Sequence, residues 1–150
     1  MKRRDVEGIR RGIREKDRDL VRLLNERARL SAEMGRMKAE NGLAVFDPVQ
    51  ERRVLDGVAS LNEGPLPAEA LRNIWREILS ASRALQAPLS VACLGPEGAF
   101  AHLAALERFG RSTRLVPQVT IGGVFDAVEK QRCDLGVVPL ENSVEGPVRT

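Results

Sequence analysis

Three cations stand out on one predicted helical rod: Arg10, Arg27 and Lys38. Arg27 and Lys38 are separated by close to three turns at about 3.6 residues per turn, so they share a face with Ser31 and Met34 between them. Arg10 lies near the same face, but about 25 Å away along the axis at about 1.5 Å per residue. A small ligand held by all three must take Arg10 from a second chain packed antiparallel, which predicts a homodimer through the long N-terminal helix. Asp47, Gln50 and Glu51 open a second helix, and Ser82 and Gln86 lie on one face of a third. Pooled, these residues offer two or three cations, a carboxylate, an amide and a hydroxyl. The set lacks a nucleophile, a metal cluster and a histidine base. It suits a dianionic substrate whose reaction needs only orientation and charge stabilisation, with no metal and no cofactor.

Each of these residues also has an ordinary explanation. Arg27 can snorkel, or pair with Glu26 or another neighbour. Ser82 and Gln86 can be solvated residues near a helix end. His102, the single histidine, reads as a packing or surface residue. The cations of the first helix are interleaved with Glu15, Asp17, Asp19, Glu26 and Glu33, which describes a solvated or partner-facing surface and not a nucleic-acid contact. A basic helical nucleic-acid binder remains a third reading, to be recognised by steeply salt-dependent duplex binding.

The elements that must hold these residues change character along the chain. Residues 3–41 contain no proline and carry Val6, Ile9, Ile13, Leu20, Leu23, Leu30, Met34 and Met37 as a heptad seam, interrupted by Lys16 and Arg27. Gly42 is the stop, and Asp47-Pro48 is an N-cap and first-turn pair for a helix over 48–61 that buries Val49, Leu55, Val58 and Leu61. Gly64-Pro65-Leu66-Pro67 ends it. A third helix follows over 67–87, with a stripe of Leu71, Ile74, Trp75, Ile78, Leu79 and Leu85, closed by Pro88. Beyond Pro88 the order is β-α-β-α-β: apolar runs at 90–94, 113–117 and 134–138, helices after Gly98 and after Thr120. The fold class is therefore an all-α three-helix unit, 1–88, followed by a partial α/β unit, 89–150. The first carries 18 basic against 14 acidic residues and the second 6 against 7. Three strands are too few to cover both faces of an open sheet, so the second unit is expected to be incomplete.

Two cysteines exclude a disulfide framework and imply a reducing, cytoplasmic setting. No apolar run reaches the roughly 18 residues of a membrane span. Aromatic residues are 3%, too few for base-stacking surfaces.

Ile9-Arg10-x3-Arg14 through Asp17, Leu20-x2-Leu23-Leu24-x2-Arg27, Lys38, Asp47, Glu51 and Ile78-x3-Ser82-x3-Gln86 together resemble the all-helical class of chorismate mutase. The resemblance implies an intertwined dimer of three-helix chains that rearranges chorismate to prephenate without a covalent intermediate. Carried over position by position, Arg10 of a second copy and Arg27 clamp the substrate carboxylates, with Ser82 assisting. Lys38 and Gln86 donate to the ether oxygen, and Glu51 accepts from the ring hydroxyl with help from the Asp47 backbone. Gln50 departs from the pattern: the family often has arginine there, and Arg52 or Arg53 stands nearby.

In the second half, Gly95-Pro96-Glu97-Gly98 sits between a strand and a helix, where glycines let backbone approach an anion. Asn142 and Ser143 follow the last strand, placed either to cap a helix or to bind a carboxylate. Gly95-Pro96-Glu97-Gly98-x-Phe100, Val124-Phe125-x-Ala127-Val128-Glu129 and Asp134-x-Gly136-Val137-Val138-Pro139-x-Glu141-Asn142-Ser143-x-Glu145-Gly146 resemble the beginning of prephenate dehydratase, which makes phenylpyruvate for phenylalanine synthesis. Ala99 and Ala101 stand where that family usually shows hydroxyl residues. The family's Thr-Arg-Phe motif and regulatory domain fall outside these residues, so the dehydratase is expected to be inactive in this chain. Both resemblances together imply the N-terminal part of a bifunctional chorismate mutase–prephenate dehydratase. The rival reading is a non-catalytic dimerisation module carrying an α/β ligand-binding segment.

Overall fold

A computed structural model describes residues 6–142 and 146–147. Three helices come first: α1 (Val6–Glu40), α2 (Pro48–Ser60) and α3 (Ala68–Gln86). They are followed by β1 (Ser90–Leu94), α4 (Phe100–Phe109), β2 (Arg114–Gln118), α5 (Ile121–Glu129) and β3 (Leu135–Val137). A short antiparallel pair, β4 (Glu141–Asn142) and β5 (Gly146–Pro147), closes the chain's described part.

The stops are chemical. After α1 the chain turns at Gly42, whose φ of 65° lies in the left-handed region that glycine enters without strain. Asp47 caps α2 through its carboxylate, accepting from the N–H groups of Val49 and Gln50 at 3.0 Å, with Pro48 in the first turn. α3 ends at Gln86, and Pro88 prevents its continuation.

The α/β part is a parallel sheet in the order β2-β1-β3. β1 is central, with Val91 opposite Leu115 on one side and Leu135 on the other. Alternate side chains of β1 feed two cores. Val91 and Cys93 join Leu89, Ala105 and Phe109 under α4, while Ala92 joins Val124, Ala127 and Cys133 under α5. Full burial of a side chain such as Val91 is worth about 1.5–3 kcal/mol. Phe46, from the loop between α1 and α2, packs into the core under α4 and ties the helical part to the sheet.

α3 is the other tie, and it buries polar residues: Ser80, Ser82 and Arg83. Ser80 Oγ accepts from Ser112 N–H, and the Glu77 carboxylate accepts from Arg111 N–H. Gly110, with φ 79°, lies against Ser80 so closely that an added Cβ would come within 2.5 Å of the serine Cβ. Only glycine meets both conditions.

The expected burial on α2 and α3 is corrected in part. Leu55 and Val58 are half-buried, but Val49 and Leu61 are exposed, as are Ile74 and Leu85. The reason is geometric: α2 packs mainly on α3, and no neighbour within one chain covers their outer faces. α1 shows this most strongly. From Val6 to Glu26 every residue except Gly8 and Gly12 is exposed, and Ile9, Leu20 and Leu30 of the seam are 49%, 57% and 67% exposed. Among the described residues, no helix is long and apolar enough to cross a membrane.

Candidate active site

Only the second half of α1 touches α3, and the sequence-selected residues divide on that boundary. Arg27 reaches across to α3, where its Nη1 donates to Ser82 Oγ at 2.7 Å. This is a half-buried contact between two residues far apart in sequence, and burial pushes the Arg27 guanidinium below its usual pKa. An arginine remains cationic there, so the pair presents a fixed positive charge beside a hydroxyl. Two turns further along, Gly35 is buried against Gln86; a Cβ on Gly35 would sit 2.8 Å from Gln86 Cβ and Cγ. Gln86 Oε1 is buried without a hydrogen-bond partner. Leaving such an atom unpaired costs roughly 1–3 kcal/mol, a cost that a ligand able to satisfy it would remove. Lys38 lies one turn beyond Gly35, its ammonium donating to Val45 O at 3.1 Å with two further N–H donors to spare. Arg27 and Gly35 therefore line the side of α1 that faces Ser82 and Gln86, while Lys38 reaches the loop that follows α1.

Arg10 is not brought to this group. It lies on the exposed first half of α1 and pairs with Glu7 at 2.7 Å, a surface contact of little energetic weight. Asp47 is committed to capping α2. Glu51 is turned toward α3 and α4: its Oε1 accepts from Arg83 Nη1, and its Oε2 lies 3.7 Å from Arg108 Nη1. Gln50 contributes its backbone N–H to the Asp47 cap.

Arg83 and Gly35 are the residues that reading the sequence missed. Arg83 stands four residues after Leu79 on the inner stripe of α3, a cation in an apolar pattern, the same signal that singled out Arg27. Gly35 was visible as a glycine inside a long helix, where its backbone freedom is a cost that close packing explains.

The glycine loop differs from expectation in how its N–H groups are used. Gly95 N–H donates to Gln118 O at 2.8 Å, and Gly98 N–H donates to His102 Nδ1 at 3.2 Å. Both donors are occupied inside the chain, and His102 acts as a cap for the loop. Asn142 lies in β4, paired with Gly146, and so does not cap a helix; Ser143 lies outside the described residues. Among the described residues, no cluster of three or more histidine, cysteine or acidic side chains could hold a metal ion.

Residues 9–87 match the family described as Chorismate mutase type II, and residues 91–150 match Prephenate dehydratase. The bifunctional chorismate mutase/prephenate dehydratase of Aquifex aeolicus is 43% identical over 148 residues, covering 96% of this chain and 41% of that protein. The protein of the same description from Neisseria gonorrhoeae is 40% identical over 132 residues, 88% of this chain and 36% of the relative. The chain thus spans about two fifths of the length of these relatives. A structure of chorismate mutase (form II) from Thermus thermophilus superposes with a TM-score of 0.53 at 37% identity, covering 54% of this chain and 92% of that one.

Proposed function

The chain belongs to the chorismate mutase type II family, with the start of a prephenate dehydratase domain following, and from that premise we propose that it rearranges chorismate to prephenate. The observation that carries this reading is the half-buried Arg27–Ser82 pair, set across α1 and α3 one turn of α3 from Gln86. The reaction is an internal rearrangement in which one carbon–oxygen bond breaks as a carbon–carbon bond forms, so it requires no nucleophile and no external base. Arg27 and Ser82 bind one carboxylate of the substrate. The second is met by Arg10 of a second copy, which places the active unit in a homodimer built on α1. The exposed seam of α1 supports that assembly. A helical segment exposed along its length from Val6 to Glu26 is marginal in water unless its apolar face is covered. Lys38 and Gln86 stabilise the negative charge that develops on the ether oxygen, the effect expected to supply most of the acceleration. The Gln86 amide can present its N–H group there by rotation about its last torsion. Glu51 accepts from the ring hydroxyl, oriented by the start of α2, where Asp47 is the cap.

On this reading the prephenate serves phenylalanine synthesis in the cytoplasm. A second reading has two observations in its favour: Glu51 is already held by Arg83, and Gln50 stands where the family often has arginine. It makes residues 1–88 a dimerisation module without turnover. Chorismate consumption by the purified chain separates the two. The mutase reading expects turnover that Arg27→Ala reduces by ~10²-fold or more with helicity retained. Turnover unaffected by that substitution would defeat the site assignment.

A further inference from the structure

Arg83 makes more contacts than a helix-surface arginine has any need of. It is 6% exposed, and its two terminal nitrogens bridge two parts of the chain. Nη1 donates to Glu51 Oε1 in α2, and Nη2 donates to the Phe109 carbonyl at the end of α4. Its guanidinium also lies over the Phe46 ring, 5.5 Å from the centroid. Arg108, from the same turn of α4, approaches Glu51 from the other oxygen at 3.7 Å and lies over Phe46 and Phe109. Phe46 and Phe109 meet edge to face at 5.7 Å, completing the cluster. The Glu51 side chain is 13% exposed and faces two guanidinium groups, one from the helical part and one from the α/β part. A carboxylate offers about four lone-pair positions, so two such contacts fix its rotation and still leave an acceptor free.

We propose that Arg83, backed by Arg108, is the positioning residue that aims Glu51 at the substrate hydroxyl, so that a residue of the α/β segment helps to complete the mutase site. This rests on the chorismate mutase reading above. It supplies the cation that Gln50 does not, from α3 and not from the neighbouring Arg52 or Arg53. It also gives the polar surface of α3 a purpose: the helix buries Arg83 where an apolar residue would pack the two parts together but leave Glu51 unsupported. Arg83 and Arg108 touch no substrate; they act through Glu51.

The test is a pair of double-mutant cycles on the full chain: Arg83→Gln with Glu51→Gln, and Arg108→Gln with Glu51→Gln. Chorismate kcat and KM are measured beside circular dichroism and thermal melting. Because Glu51 binds a hydroxyl that does not react, its misplacement should raise KM. The expected rise is ~10-fold for Arg83→Gln and ~3-fold for the more exposed Arg108→Gln. In the Glu51→Gln background both second substitutions should leave KM unchanged, since the group they position is already gone. Arg83→Lys keeps the charge but cannot bridge both partners, and should recover only part of the loss. A purely structural role predicts a lowered melting temperature and a smaller active fraction with KM unaltered. That outcome, or losses that multiply in the double variants, overturns the proposal. Should Arg83→Gln fail to fold, the Arg108 cycle decides alone. A wild-type chain inert toward chorismate defeats the functional reading itself, whereas an active one with multiplying losses defeats only this inference.

Discussion

Gly35→Ala separates site geometry from fold stability. Gly35 is buried in α1, and an added Cβ would lie 2.8 Å from Gln86 Cβ and Cγ and 2.9 Å from Gln86 Cα. Carbon atoms are comfortable at about 3.5–4.0 Å, so the end of α3 must withdraw from α1 by about 0.7–1.2 Å. Because Gln86 Cα is backbone, a change of rotamer cannot absorb the whole displacement. Overpacking of this kind costs about 1–3 kcal/mol. Replacing a helix-interior glycine returns about 1 kcal/mol, so the net loss of stability should be about 0–2 kcal/mol. Turnover should respond far more strongly, because a displacement of about 1 Å in a charge-stabilising group costs ~10²-fold. The assay is the rate of chorismate loss, with urea melts on the same preparation. Gly57→Ala in α2 is the control: no atom lies within 4 Å of its added Cβ, so it should gain up to about 1 kcal/mol of stability and keep full activity. Full turnover in Gly35→Ala would refute the idea that the Gly35–Gln86 contact sets the site.

Two further substitutions probe the joint between the parts and the sheet behind it. Gly110→Ala places a side chain at φ 79° and against Ser80, and should destabilise the chain by about 2–5 kcal/mol in urea unfolding. Asp134 is held below the usual carboxylate range, first by the Ser90 hydroxyl at 2.6 Å and then by Ser90 N–H at 2.8 Å. Its contribution is present above the unfolded pKa of about 3.9 and is lost as the pH falls through the lower folded value. Asp134→Asn should therefore lower the urea midpoint at pH 7 and make it less sensitive to acidification below about pH 4 than in the unmodified chain. An unchanged acid response would remove Asp134 from the joint between β1 and β3.

The parts of the molecule legible in the sequence are those decided locally. Proline and glycine between α2 and α3, the Asp47-Pro48 start and the shift from a helical period to short apolar runs fixed the order and close bounds of eight elements. The parallel β3 was readable because Leu135-Gly136-Val137 is apolar without alternation. The Arg27–Ser82 pairing was readable as two faces, though not as a contact. What was not legible depends on contacts far apart in sequence. Neither the cation at position 83 nor Arg108 carries a local mark of its partner, because Glu51 meets them only once α3 and α4 are docked. The occupied N–H groups of Gly95 and Gly98 were hidden for the same reason, since a sequence does not say that Gln118 and His102 will reach them. The exposed Val49 and Leu61 were expected to be buried, and Ile74 and Leu85 belong to an apolar stripe, because periodicity reports an apolar face and not what covers it.

Subunit complementation tests most directly whether two copies pool their cations. Arg10→Ala and Arg27→Ala chains are each expected to be nearly inert on chorismate. Unfolded and refolded together in equal amounts, half of the random dimers are mixed, and each mixed dimer holds one site with both arginines intact. Activity should return to about a quarter of the wild-type value per chain. A mixture that stays as inert as its components, or an Arg10→Ala chain that is fully active alone, would contradict a site shared between two copies.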